Sequence, residues 1–154
     1  MKILLETVAA FIGTIAFSVL FIVPKKQYWI CGLVGSAGWI VYAFAALKFS
    51  EVTASFLATV VIVLLARILA VIRKVPTNVI MIPGIFPIVP GIGIYDMIYN
   101  LMMGDTVLGM HKGLEVMKII GAIVLGIIVV FSLPNRLFRK PKKLRSTNFV
   151  HNAD

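Results

Sequence analysis

Long apolar runs separated by short polar or basic stretches dominate the chain. A helix needs about 20 residues to cross a hydrocarbon core of about 30 Å, and four runs approach that length: Leu4 to Val23, Tyr28 to Leu47, Val52 to Ile72 and Val116 to Leu133. A fifth run, Val79 to Met103, is long enough but is interrupted by three prolines and by Asp96. The runs lack the alternation of barrel strands, and only helices or closed barrels satisfy their backbone in lipid. The pattern therefore predicts an all-α polytopic membrane helical bundle of about five transmembrane helices, the fourth broken by proline and glycine.

The composition is typical of an integral membrane protein. Of its 154 residues, 60% are hydrophobic and 14% are charged, whereas a soluble domain is nearer half apolar and a quarter charged. The net charge is +9, from fifteen lysines and arginines against six acids. In so apolar a chain, a basic excess is typical of the cytoplasmic flanks of membrane spans rather than of nucleic-acid binding.

The distribution of basic residues predicts the orientation. With five crossings, three basic residues fall on one side: Lys2, Lys48 and Lys112. Ten fall on the other: Lys25, Lys26, Arg73, Lys74, Arg136, Arg139, Lys140, Lys142, Lys143 and Arg145. Because basic loops stay inside, we expect the amino terminus outside a cell membrane and the carboxyl terminus in the cytoplasm. Residues 1–135 form the predicted transmembrane domain, and 136–154 form a basic cytoplasmic tail attracted to anionic lipid rather than to nucleic acid.

The stretch from Pro83 to Gly93 is the most informative part of the sequence. It holds three prolines and three glycines in eleven residues, and each proline costs about 3 kcal/mol inside a helix. Pro90 lies eleven residues into its run, which predicts a break about 17 Å deep, near the midplane. Broken backbone at that depth needs protein or a watery cavity around it, and such breaks form the binding sites of secondary transporters. A packing helix kinked by proline is the alternative, although one proline would suffice.

The break predicts a site for a carboxylate. A half-helix from Ile94 to Met103 would direct its positive amino end, with unpaired N–H groups, towards the midplane. The candidate substrate-binding residues there are Pro87, Pro90, Gly91, Gly93, Tyr95 and Asp96. Asp96 is interpreted as a ligand for a proton, a cation or a substrate amine, or else as a structural acid. Arg67 is a further candidate for binding substrate or Asp96, with snorkelling to the interface as the alternative.

The sequence contains no recognisable catalytic or metal-binding motif. HExxH, GxSxG and a serine–histidine pair at matching depth are all missing from it, as is a cluster of metal ligands. We therefore expect no enzymatic activity, no metal and no cofactor. Trp39 is interpreted as an interface anchor or a packing residue, and Gly32, Gly35 and Gly38 as a seam for close helix packing.

Several segments resemble the small subunit of the threonine/serine exporter family. They are FIVPKK at 21–26, GLVGSAGWIVY at 32–42, PGIFPIVPG at 83–91 and Tyr95. The resemblance covers most of the chain up to Leu133 and implies a larger partner subunit with its own five or so spans. It also implies a substrate such as threonine or serine, or a dicarboxylate as in some members. Two departures are Val71 where family members usually carry an arginine, and the charged Asp96 after the tyrosine.

Together these observations predict the membrane subunit of a two-component secondary exporter of small carboxylate metabolites, with threonine or serine as the expected substrate. An inverted pair with the larger subunit is expected, with Gly32, Gly35 and Gly38 as candidates for the contact. The alternative is a membrane scaffold or accessory subunit that transports nothing itself. A water-accessible break at Gly91 would favour transport, and a dry packed break would favour the scaffold.

Overall fold

The computed structural model describes residues 2–134, so the predicted tail at 136–154 lies outside the described residues. Within them the chain is helical and contains no strand, which confirms the all-α class. The α-helices are α1 (Lys2–Leu20), α2 (Tyr28–Ala46), α3 (Glu51–Arg73), α4 (Thr77–Ile85), α5 (Gly91–Met102) and α6 (Thr106–Ser132). Short 3-10 turns, Lys25–Gln27 and Phe86–Ile88, precede α2 and follow α4.

Local chemistry sets the helix ends. Ser50 precedes α3, and its hydroxyl accepts a hydrogen bond from the Thr53 amide at 3.4 Å. Asp105 precedes α6 and its carboxylate accepts the Leu108 amide at 3.0 Å. Such caps satisfy amide donors that the first turn leaves unpaired. At the other end of α3, Lys74 adopts the left-handed conformation with φ 56° and stops the helix.

The helix lengths match the predicted membrane spans. Four helices, α1, α2 with its preceding 3-10 turn, α3 and α6, are long and apolar enough to cross a bilayer. Helix α4 with its 3-10 turn and α5 together pass the same test, but they are bent by 53° at Val89 and Pro90. The fold therefore has four continuous spans and a fifth if the bent pair counts as one, as the sequence predicted.

Small residues let the helices approach closely. Helix α2 packs between α1 and α3, and α3 also packs against α4 and α6. A Cβ placed on Gly35 would overlap the Thr14 side chain of α1, and one on Gly38 would overlap Ile62 of α3. The predicted seam is therefore real but lies inside this chain. The expectation that these glycines contact a partner is wrong, because neighbouring helices of the same chain already occupy that space.

The connections between helices alternate between two ends of the bundle, since short loops join antiparallel neighbours. We call the end where α2 finishes and α3 begins the Glu51 end, and the opposite end the Arg73 end. The loop with Lys25 and Lys26 lies at the Arg73 end, together with Lys74. The predicted orientation depends on the same grouping of basic residues. Which end faces the cytoplasm stays a prediction.

The break lies near the Glu51 end of α3. Gly91 shares a cavity with Ser55, four residues into α3, and with Tyr42, four residues before the end of α2. Four helical residues span about 6 Å. The break is thus level with the first turns of α3, and its depth in the membrane stays a prediction.

Helix α6 projects beyond α3 at the Glu51 end. A Cβ on Gly126 of α6 would lie 3.1 Å from the Thr59 side chain of α3, so these two positions lie at one level. From there α6 runs back 20 residues to Thr106, whereas α3 runs back only eight residues to Glu51. At 1.5 Å per residue the start of α6 extends about 18 Å beyond α3. Helix α5 pairs with this projecting part of α6.

Candidate functional site

A cavity of about 350 Å³ opens beside the break. Five of the seven predicted site residues line it: Pro87, Pro90, Gly91, Gly93 and Asp96. The rest of the wall comes from the end of α2, the start of α3 and α6, and includes Trp39, Tyr42, Glu51, Ser55, Lys112, Glu115, Val116 and Ile119. The fold therefore gathers residues from four separate segments around the interrupted backbone.

The two prolines explain the local geometry of the break. Pro87 lies in the 3-10 turn, and Val89 leaves the helical region with ψ 129°. Pro90, with ψ 61°, has no N–H to continue a helix and precedes the first residue of α5. The Gly91 amide donates to the Val89 carbonyl at 2.7 Å, and the Ile94 amide donates to the Pro90 carbonyl at 3.0 Å. The amides between them belong to the first turn, whose donors have no acceptor within a helix.

The two glycines of the break have different surroundings. A Cβ on Gly93 would lie 2.8 Å from the Val116 side chain, so Gly93 permits α5 to pack on α6. A Cβ on Gly91 would meet no heavy atom within 4 Å. Gly91 therefore borders open space, and its backbone is accessible from the cavity.

The charged groups of the cavity are mostly acidic. Lys112 Nζ lies 3.1 Å from Glu115 Oε2, and His111 Nδ1 lies 3.6 Å from Glu115 Oε1. In the described part of the chain, neither Asp96 nor Glu51 has a cationic nitrogen within 4.0 Å. Lys112 interacts electrostatically with both carboxylates from a greater distance. The cavity thus holds three acidic side chains and one lysine, an arrangement that favours a cationic group such as an ammonium.

Two polar side chains that sequence reasoning did not select also line the cavity. Ser55 is 1% exposed, and its Oγ has no hydrogen-bond partner among residues 2–134. The indole Nε1 of Trp39 is likewise buried without a partner there. The sequence interprets Trp39 as an interface anchor or a packing residue. Its spacing from Tyr42 puts both on one helical face, and their rings lie 5.3 Å apart. This shared face is the sequence feature that could have identified Trp39 as a neighbour of Tyr42 in the cavity wall.

Tyr95 does not line the cavity. Its side chain is 65% exposed and stacks on Tyr99 with ring centroids 6.0 Å apart. None of the residues of α5 is buried within the described chain. The tyrosine pair is therefore part of an outer face of α5, and the structure does not place Tyr95 beside the other predicted site residues.

Arg67 lies at the other end of the bundle from the break. It is 5% exposed, donates to the carbonyls of Val130 and Leu133, the latter at 3.2 Å, and lies 5.4 Å from the centroid of the Phe131 ring. Its position is twelve residues beyond Ser55 on α3, or about 18 Å along the helix. A cation at these carbonyls stabilises the carboxyl end of α6. The structure does not bring Arg67 to Asp96 or to the cavity.

The comparison with known families agrees with this architecture. Residues 6–133 match the family model described as Threonine/Serine exporter, ThrE. The chain belongs to the threonine/serine exporter family. The match confirms the resemblance seen in the sequence, and it spans the cavity and nearly all of α1 to α6. No curated protein and no solved structure is similar enough to this exporter-family chain to count as a match. Family and apolar helices together make it a multi-pass membrane protein with a transport role.

Proposed function

We propose that this chain is the membrane subunit of a two-component secondary exporter of small carboxylate metabolites, with threonine or serine as substrate, and that the substrate binds in the cavity at the break. The observation that carries the proposal is the cavity itself. At about 350 Å³ it falls within the range of about 300–1,000 Å³ that small-molecule sites occupy. It combines accessible backbone at Gly91 with acidic groups at Asp96 and Glu51.

The carboxylate of an amino acid matches the backbone amides at the break, and its ammonium matches the acidic side chains of the cavity. The substrate carboxylate binds the first-turn amides of α5, where the dipole contributes about 0.3–2 kcal/mol and a charge-assisted hydrogen bond about 1.5–3 kcal/mol. The ammonium binds Asp96, unless that carboxylate carries a coupling proton instead. These magnitudes give weak binding, which suits a substrate that must also leave. Arg67 is omitted from this site because it lies at the other end of α3.

The second component is a larger membrane subunit of the same family. With five crossings the termini lie on opposite sides, and a partner of opposite orientation would complete the inverted pair common in transporters. The outer face of α5, which buries no residue within the described chain, is available for that contact. In the proposed orientation the Arg73 end is cytoplasmic, so the cavity opens towards the outside of the cell membrane.

The alternative of a non-transporting scaffold has less support. A scaffold needs the break only as a packing feature, so dry, filled surroundings are expected for it. The open space beside Gly91 favours a site that a ligand enters.

Export assays test the proposal. Cells expressing this chain and its larger partner, each chain alone, or neither would be loaded with labelled threonine, serine or a dicarboxylate. We expect export only when both chains are present. Export by this chain alone, purified into vesicles, would contradict the two-component arrangement. The scaffold would be favoured if cells with both chains in the membrane and cells with neither exported all of these substrates at the same rate.

A further inference from the structure

Ser55 differs from the other buried hydroxyl residues in the part of the chain that the structure describes. Thr14, Ser18 and Thr59 each donate to the carbonyl four residues earlier, at 2.7, 2.8 and 2.7 Å. Such back-bonding is the usual way for a helix to satisfy a hydroxyl. The Ser55 hydroxyl makes no hydrogen bond within residues 2–134, although its own carbonyl accepts the bond from Thr59. A buried polar group without a partner is unusual and calls for a ligand or water.

Trp39 adds a second buried group to the same cavity. Its Nε1–H is a donor only, has no partner in the described residues and comes from α2, whereas Ser55 comes from α3. The two residues therefore line one cavity from different helices, and the cavity wall covers both polar atoms in this structure. Together they offer one fixed donor and one hydroxyl that both donates and accepts.

We infer that Ser55 Oγ and Trp39 Nε1 bind the side-chain hydroxyl of the exported amino acid and thereby select hydroxy amino acids over apolar ones of the same shape. This inference rests on the proposed function. A substrate hydroxyl accepts from the indole N–H and exchanges a hydrogen bond with Ser55, which satisfies both buried groups. An apolar analogue leaves both unpaired, and unpaired buried groups are the strongest basis for rejecting an analogue that lacks a hydroxyl.

Charge explains why a hydroxyl, rather than the substrate carboxylate, binds here. Glu51 lies one helical turn before Ser55 on the same face of α3, and both line the cavity. An anion at Ser55 would face this carboxylate, whereas a neutral hydroxyl would not. The carboxylate is better placed at the amino end of α5, beside Gly91.

Threonine and valine are a matched pair for the test, because they share a shape and differ by the hydroxyl. Vesicles containing this chain and its partner would be assayed for transport of each labelled amino acid. Ser55→Ala removes the hydroxyl, and Trp39→Phe removes the N–H but keeps an aromatic ring. Ser36→Ala is the control, because Ser36 is also buried but already bonds the Leu33 carbonyl at 3.0 Å.

We expect the unaltered complex to prefer threonine over valine by at least about tenfold, below the about 10⁴-fold seen at fully enclosed sites. Ser55→Ala and Trp39→Phe should each reduce that ratio several-fold by slowing threonine alone, and Ser36→Ala should leave it unchanged. A variant that merely destabilised the protein would slow both substrates and keep the ratio.

A fluorescence measurement covers the case in which a variant is poorly made. Trp29→Phe leaves Trp39 as the single tryptophan of this chain, and threonine, but not valine, should then shift the emission of the purified complex. The shift should disappear when Trp39 is also replaced by phenylalanine, which separates it from the emission of the partner subunit. Threonine transport with an unchanged ratio in both variants, or with no emission shift, would overturn the inference and leave the proposed function intact. Transport of neither threonine nor serine by the unaltered complex would overturn both.

Discussion

Replacing Gly91 with valine separates a ligand site from a packing kink. A Cβ at Gly91 meets no heavy atom within 4 Å, and its φ is not in the left-handed region. The fold should therefore accept valine, while the new side chain stands between the cavity and the first-turn amides of α5. Losing one charge-assisted hydrogen bond, about 1.5–3 kcal/mol, corresponds to about a 10- to 150-fold loss of transport, at about 1.4 kcal/mol per tenfold.

Gly121→Val is the matched control. Gly121 lies within α6, its Cβ position is equally open, and it does not line the cavity. Initial rates of labelled threonine export would be compared in cells that contain equal amounts of each variant and the same amount of co-purified partner. We expect Gly121→Val to export normally and Gly91→Val to lose at least about 90% of its rate, which is the tenfold lower limit above. Full export by Gly91→Val would show that the break only shapes the packing.

Three further outcomes follow from the same geometry. Gly35→Val should destabilise the chain by about 1–3 kcal/mol, because its side chain overlaps Thr14; an unchanged thermal midpoint in detergent would contradict this. Asp96→Asn should raise the KM for export at every pH by about tenfold if Asp96 binds the ammonium. It should change the pH profile of export if Asp96 carries a proton. If the KM and the pH profile both stay the same, both roles are excluded. In a cysteine-free background, an impermeant thiol reagent added to intact cells should label a cysteine at Lys48 but not one at Lys26, and the reverse pattern would invert the orientation.

The parts of the fold that depend on periodicity and backbone chemistry could be predicted from the sequence. Apolar runs specify membrane helices because lipid leaves few alternatives, and the prolines at 87 and 90 specify a break because they lack an N–H. Both features are local. The structure has them where the sequence placed them.

The features that the sequence does not predict depend on which helices become neighbours. How far α6 projects beyond α3, and therefore where the break lies along α3, is not contained in a residue count within one run. Ser55 looked like an ordinary small residue, because only the tertiary structure shows that its hydroxyl lacks a partner. Arg67 could have paired with Asp96 by depth alone, but α3 directs it to the carbonyls at the end of α6.

The isolated position of α5 affects how the cavity could change shape. Helix α5 packs against α6, buries no residue of its own in the described chain and joins α4 through Val89 and Pro90. A segment with so little surface buried within its own chain has low local stability wherever the partner subunit leaves it uncovered, and non-helical residues at its start provide a hinge. The wall that carries Gly91 and Asp96 could thus swing while α1, α2 and α3 stay packed, so that access to the site changes at the energetic cost of moving one short helix.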